Sequence, residues 1–325
     1  MCGIGGVLYK NATGPVGTDL KKLIYGIRHR GEDSRGAAIF THKEKAGGRD
    51  VLLIQVRVEQ SPAGRNAEEV LAVLTSLLLK AGGEVLEDQA RGTIMSVRAL
   101  YEGSLLDLCY ELDKQEVQTI SIGNQLQIYK DLGTSDQLDQ VYRYSVLEGT
   151  HGIGHARLAT ESRVSPDRAH PFWAYGFRDV AIVHNGQLTN YWKLRRKFER
   201  WGYRFRTDND SELIAIYTAH YLNKGLRLQD TLEQSLGELD GTYTFLVSTP
   251  EEIGFVKDKL AAKPLVFVDT EDRVVLASEE ISLQALLPDM DRVTVEEPPP
   301  YMAGTWSIYG EHRFTKMTYR AVGLE

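Results

Sequence analysis

The chain has 325 residues, 42% of them hydrophobic and 26% charged, with a formal net charge of −7. That is the composition of a folded globular protein rather than a disordered or fibrous one, and the acidic balance argues against a general nucleic-acid binder. No apolar run approaches the ~20 residues of a membrane helix, and MCGIGGVLYK (1–10) is too short and glycine-rich for a signal-peptide core, so a cytoplasmic location is expected.

Residues 4–9 and 36–42 read as short strands around a helix near 18–28, where Leu20, Leu23, Ile24 and Ile27 recur at helical spacing. A polar connection, THKEKAGGRD (41–50), leads to a strand at 51–58. A helix at 67–80 follows, with Val70, Leu74, Leu77 and Leu78 on one face. A strand near 93–100, a helix near 104–113 and strands near 117–122 and 125–129 complete a β-α-β-α-β run. From 152 the pattern changes. Strands near 152–158 and 179–184 flank a loop holding Ser165, Pro166, His170 and Pro171. Two helices come next, near 190–200 with Leu194, Phe198 and Trp201 aligned, and near 210–222 with Leu213, Ile214, Tyr217 and Tyr221 aligned. Short strands near 242–248, 253–257, 264–268 and 273–277 suggest antiparallel sheets, and EEPPPY (296–301) marks a turn or linker. The expectation is an α+β layered domain interrupted by an α/β lobe at about 45–122.

Cys2 and Cys109 are the two cysteines, far apart and outside any CxxC pair, so neither a zinc site nor a disulfide framework is indicated. Cys109, within an apolar helix, reads as core. The eight histidines show no HExxH spacing, and neither a phosphate loop nor a well-placed GxGxxG turn is present. No metal, ATP or dinucleotide cofactor is therefore expected.

Cys2 is chemically distinctive. Initiator methionine is generally removed before a small residue, and removal places a thiol and a free α-amine on one residue. The amine, with a reference pKa of ~7.7–8.0, can accept the thiol proton without a histidine. The plainer reading is a small apolar residue opening the first strand.

Four further motifs surround that reading. GIRHRGEDSRGAAIF (26–40) and GIGHARLAT (152–160) each set a polar cluster beside an apolar strand. VHNGQLTNY (183–191) ends a strand with Asn-Gly, and FRTDNDSELIA (205–215) leads polar residues into a helix. With MCGIGG (1–6), these motifs resemble, in order, the glutaminase domain of class II glutamine amidotransferases, an N-terminal-nucleophile hydrolase family. The ordered matches span most of residues 1–42 and 124–285. The resemblance implies a four-layer αββα sandwich and hydrolysis of L-glutamine to glutamate and ammonia through a thioester on Cys2.

The resemblance also implies roles for individual residues. Arg157, a planar fork of donors suited to a carboxylate, matches the arginine that binds the substrate carboxylate, helped by Thr160; otherwise it would read as a surface ion pair. Asp210 matches the aspartate that holds the α-ammonium, and its place at a helix start suits an ionised carboxylate or a cap equally. Asn185 and Gly186 match the oxyanion hole, although Asn-Gly alone is chiefly a hairpin signal. Arg30 and Asp33, with Ser34 and Gly36, lie in the segment that braces the nucleophile, Arg30 being the expected contact with the Cys2 region. His170 matches a loop that orders around glutamine. His155 and His184 read as packed, hydrogen-bonded histidines.

Two features depart from the minimal pattern. The lobe at 45–122 is additional and carries no readable motif; it is expected either to shield the site or to form a docking surface. After the closing strands at 258–280 about 45 residues remain, below a domain's usual ~100–150. The ammonia acceptor is therefore expected to be a separate synthase subunit, with a flavin-containing, glutamate-synthase-like or N-methylglutamate-synthase-like complex as the nearest resemblance. Two alternatives stay open at this point: a stand-alone amidohydrolase of another γ-glutamyl amide, and a non-catalytic glutamine-binding regulatory subunit.

Overall fold

The strand that follows Cys2, Gly3–Tyr9, is buried at all seven positions, so both of its faces need cover. In the computed structural model, which describes residues 2–58, 64–158 and 164–318, it lies inside a six-stranded sheet. That sheet runs, edge to edge, Val266–Asp269, Arg273–Ala277, Gly3–Tyr9, His151–Arg157, Ser34–Phe40 and Leu126–Leu132, with every neighbouring pair antiparallel. A second antiparallel six-stranded sheet runs Phe172–Trp173, Ala181–Leu188, Gly241–Ser248, Glu252–Lys257, Met302–Ser307 and His312–Lys316. The two sheets pack face to face through their central strands.

Helices close both outer faces. Val16–Gly26 covers the first sheet with Leu20, Leu23 and Ile24, all fully buried, and Glu280–Gln284 packs beside it. Asp210–Asn223 and Leu228–Glu238 cover the second sheet. The layers therefore run helix–sheet–sheet–helix, the αββα order implied by the sequence motifs. Asp210–Asn223 is buried continuously from Ser211 to Tyr221, which fits a helix apolar around most of its circumference.

Residues 52–123 build a separate four-stranded antiparallel sheet in the order Glu84–Arg91, Ile94–Leu100, Leu52–Arg57, Thr119–Gly123. The helices Ala67–Lys80 and Leu105–Lys114 pack against it and against each other. Asn66 starts the first of these with a capping box to Glu69, and the Ser104 side chain accepts from Asp107 N–H at the second. Leu126–Leu132, just beyond the 45–122 lobe, forms an edge of the first large sheet. The junction is fixed by Asp179, whose carboxylate accepts the backbone N–H groups of Asn124, Gln125 and Leu126 at 2.9–3.0 Å.

Three details differ from the sequence reading. Glu84–Arg91 (EVLEDQAR) is a largely exposed strand, and its polar sequence carries no apolar alternation to find. Trp201 does not share the buried face of Leu194 and Phe198; it caps the helix, 46% exposed, and stacks on His220 at 4.9 Å. The second sheet gains two strands beyond EEPPPY, Met302–Ser307 and His312–Lys316. Among the described residues no helix is long and apolar enough to cross a membrane.

His151 makes the interior pH-sensitive. Its ring stacks on Phe40 at 4.4 Å and its Nε2 donates to Thr249 O at 2.7 Å. Burial pushes its pKa down to about 4, outweighing that hydrogen bond. The unfolded side chain titrates near ~6.5, so between these values only the unfolded state takes the proton. Stability is expected to be full above about pH 6.5 and to fall as pH drops toward 4, His151 accounting for about 2 kcal/mol at pH 5. Urea unfolding at pH 7 and pH 5 measures the loss, and His151→Gln should shrink it by that amount.

Candidate active site

Cys2 stands at the entrance to the central strand of the first sheet, and its main chain is held from two directions. Its carbonyl oxygen accepts from Arg30 Nε at 2.9 Å and from Asn185 Nδ2 at 3.0 Å. Arg30 belongs to the short helical turn Arg28–Arg30, whereas Asn185 comes from Ala181–Leu188 in the opposite sheet. Arg30 is itself locked: its Nη1 pairs with Glu279, which also takes His29 Nε2 at 2.8 Å. The Cys2 thiol points to the carbonyl of Leu158, with Sγ···O at 3.6 Å. One amide hydrogen of Asn185 serves Cys2, and the NH₂ group has a second.

Arg157 closes the strand next to Cys2. The ladder sets Gly3 opposite Ala156 on one side and Ser34 opposite Arg157 on the other. Asp33 N–H donates to Arg157 O at 3.0 Å. The fit leaves no room at Gly31, where a Cβ would lie 2.3 Å from the Arg157 carbonyl carbon. Burial lowers the Arg157 pKa, opposed by the nearby Cys2 and Asp33. Even so, a guanidinium keeps its charge in a protein. Thr160 lies outside the described residues.

Asp210 begins the helix of the second sheet's outer layer, and Asn209 caps it through Ser211 N–H. The Asp210 carboxylate is tied back to the Asn-Gly strand: Oδ2 accepts Leu188 N–H at 2.9 Å and Oδ1 lies 3.4 Å from His184 Nδ1. Burial pushes its pKa up, but His184 and the backbone N–H groups of Leu188 and Ser211 outweigh it, and the net shift is downward. The group is an anion at neutral pH.

Behind Asp210 sits a histidine cluster. Ser211 Oγ lies 2.7 Å from His170 Nε2 and 3.0 Å from His184 Nδ1. His155 Nε2 donates to His184 O at 3.0 Å and stacks on His170 with centroids 4.1 Å apart. Burial drives the His155 pKa down to about 3 and His170 well below its ordinary value, with neighbouring positive groups pushing His170 the same way. Neutral rings can stack this closely without like-charge repulsion. The His170 segment is pinned on two sides: Lys130 Nζ donates to the carbonyls of Ala169 and Pro171, and a Cβ at Gly36 would fall 2.1 Å from His170 O.

The structure thus gathers Cys2, Arg30 and Asn185 by direct contact, places Asp33 and Arg157 on adjoining backbone, and joins Asp210 to the Asn185–Gly186 strand. His170 belongs to the layer behind Asp210 rather than to the Cys2 contacts. Three residues that sequence reasoning did not single out complete the frame. Glu279, directly after the Arg273–Ala277 strand, anchors Arg30. Ser211 links two histidines. Glu212 accepts Arg206 N–H, Thr207 N–H and the Thr207 hydroxyl at 2.7–2.8 Å, shaping the loop before Asp210. An acidic residue near a helix start was the available signal for Glu212; Glu279 and Ser211 offered none. Among the described residues no three or more His, Cys, Asp or Glu side chains are arranged to hold a metal ion.

Residues 155–285 match the glutamine amidotransferase domain family. Over 308 residues the chain is 35% identical to a protein of Methanothermobacter thermautotrophicus named as a glutamine amidotransferase, covering 92% of this chain and 97% of that one. It is 32% identical over 310 residues to the glutamine amidotransferase-like protein GlxB of Rhizobium meliloti, covering 94% and 98%. In structure it resembles glutamine phosphoribosylpyrophosphate amidotransferase from B. subtilis, with a TM-score of 0.60 at 19% identity, across 97% of this chain and 49% of that one. That likeness establishes the N-terminal-nucleophile hydrolase fold. The chain belongs to the class II glutamine amidotransferases.

Gly186 is a position where this geometry tolerates no side chain. Its φ is +136°, and a Cβ would lie 2.1 Å from Thr242 O. Gly186→Ala is expected to destabilise the fold by about 2 kcal/mol or more, read by urea unfolding.

Proposed function

We propose that removal of Met1 makes Cys2 the N-terminal nucleophile of a glutaminase that supplies ammonia to a separate synthase subunit. The observation that carries this reading is the 3.0 Å hydrogen bond from Asn185 Nδ2 to the Cys2 carbonyl, which puts an amide donor from one sheet beside the nucleophilic residue of the other. The α-amine of Cys2 takes the thiol proton, and the thiolate attacks the side-chain carbonyl carbon of glutamine. The resulting oxyanion is received by the second Asn185 hydrogen and the Gly186 N–H. Collapse breaks the C–N bond; the amine proton leaves with the departing nitrogen as ammonia, and a γ-glutamyl thioester remains on Cys2. Water, deprotonated by the same amine, then releases glutamate and restores the thiol.

Substrate orientation follows from charge. Arg157, with Thr160, binds the α-carboxylate, and Asp210, anionic at neutral pH, binds the α-ammonium. Arg30, Asp33 and His170 hold these groups in place without touching substrate. The glutamate-synthase-like acceptor rests on the sequence resemblance.

Glutamine hydrolysis by the processed chain tests the mechanism. Cys2→Ala should abolish both turnover and labelling by a glutamine-mimicking electrophile. Asn185→Ala should lower kcat about 10²–10³-fold while leaving thiol labelling intact. Arg157→Gln or Asp210→Asn should raise KM about 10–100-fold, the loss of one charged hydrogen-bonded contact. Full activity in protein whose mass retains Met1 would refute the nucleophile assignment, and co-purification without any synthase would refute the partner.

A further inference from the structure

A cavity of about 620 Å³ opens between the four-stranded sheet and the loop leading to Asp210, and its lining includes neither Cys2, Asn185 nor Asp210. Phe172, Trp173 and Tyr175 form an aromatic wall, while Arg57, Lys130 and Arg206 bring three cations. Arg57 and Lys130 are 2% and 6% exposed, so their charges are almost wholly removed from water. A buried charge is costly unless a counter-charge meets it.

Three of the four carboxylates of the cavity already hold hydrogen bonds, and the fourth is exposed. Glu212 is saturated by Arg206 N–H, Thr207 N–H and the Thr207 hydroxyl. Asp113 accepts the Tyr175 hydroxyl and lies 3.8 Å from Arg206. Asp167 is held by Ser165, and Glu116 is exposed. The cations have poorer partners. Lys130 Nζ donates to two neutral carbonyls, sits 4.8 Å from the Phe172 ring centroid, and has no carboxylate within 4.0 Å among the described residues. Arg57 reaches Thr93 Oγ1 and Lys130 O, with Asp131 only at 4.0 Å. Arg206 Nη1 donates to the carbonyl of Thr119. Lys130 thus lacks a close counter-charge, and Arg57 and Arg206 meet theirs only at 4.0 Å and 3.8 Å.

We propose that this cavity binds a small organic anion, a carboxylate or phosphate ester, whose oxygens meet Lys130, Arg57 and Arg206 and whose body lies against Phe172, Trp173 and Tyr175. Guanidinium forks suit either oxyanion, and the aromatic wall shields the pair from water. Lys130 is the responsive group. Burial, reinforced by Arg57, lowers its pKa to about 7; Arg206 adds to this, while Asp167 and Glu212 oppose it, and His170 faces it as a neutral ring. An incoming anion raises that pKa, so binding near pH 7.5 draws in a proton.

Calorimetry on the full chain carrying Cys2→Ala tests the site independently of the glutaminase chemistry. The probes are benzoate, phenyl phosphate and the uncharged benzamide. Benzoate or phenyl phosphate is expected to bind with a Kd below about 1 mM, at least about tenfold tighter than benzamide, and the preferred one identifies the head group. Lys130→Met and the more exposed Arg206→Gln should each weaken binding about tenfold or more, with thermal unfolding confirming that they fold. Titrations in buffers of different ionisation enthalpy should show net proton uptake. Equal binding of benzamide, no anion binding, unchanged affinity in both folded variants, or no proton uptake would overturn the proposal.

Discussion

The Cys2 carbonyl is shared by donors from the two halves of the sandwich, Arg30 beside the first sheet and Asn185 in the second. Face-to-face sheets can slide by small amounts at little cost, because apolar contact has no direction. A hydrogen bond does have direction, and two of them converging on one oxygen fix how the sheets meet at their ends. Arg30 is in turn held by Glu279, so the frame extends to the end of the neighbouring Arg273–Ala277 strand. The position of the thiol relative to Asn185 is thus a property of sheet packing rather than of a flexible N-terminus.

The second constraint is the histidine layer behind Asp210. Rings of His155 and His170 stack only because burial keeps them unprotonated, and Ser211 spaces His170 from His184. The layer supports a carboxylate whose ionised form is favoured by the Leu188 N–H on one oxygen and by His184 beside the other. Here polar groups are buried with directional partners, which makes the arrangement specific as well as costly to disturb.

The additional four-stranded sheet meets this layer through Lys130, which belongs to the first large sheet yet braces the carbonyls on both sides of His170. Arg57 from the added sheet reaches Lys130 O. The added sheet and the histidine layer therefore share one polar seam.

Much of the frame was legible in order along the chain. Buried strands such as 4–9 and 242–248 announce themselves as short apolar runs between turn residues, and the helix at 210 begins where polar residues capable of capping meet an apolar stretch. Cys2 followed by glycines, Asn185-Gly186, and Arg157 at a strand end were readable because their chemistry depends on residue type and local spacing. What could not be read were the pairings. Glu279 finds Arg30 across 249 residues, and Asp179 organises the backbone of 124–126, because antiparallel sheets bring distant segments together. Nor could a polar strand such as Glu84–Arg91 be seen, since its partners rather than its own apolar period define it. Sequence alone determined that a thiol stands directly after Met1 and ahead of a buried strand, because residue identity and order are covalent facts. Tertiary structure decided what surrounds it, because charge, burial and hydrogen-bond direction exist only once separate strands share a wall.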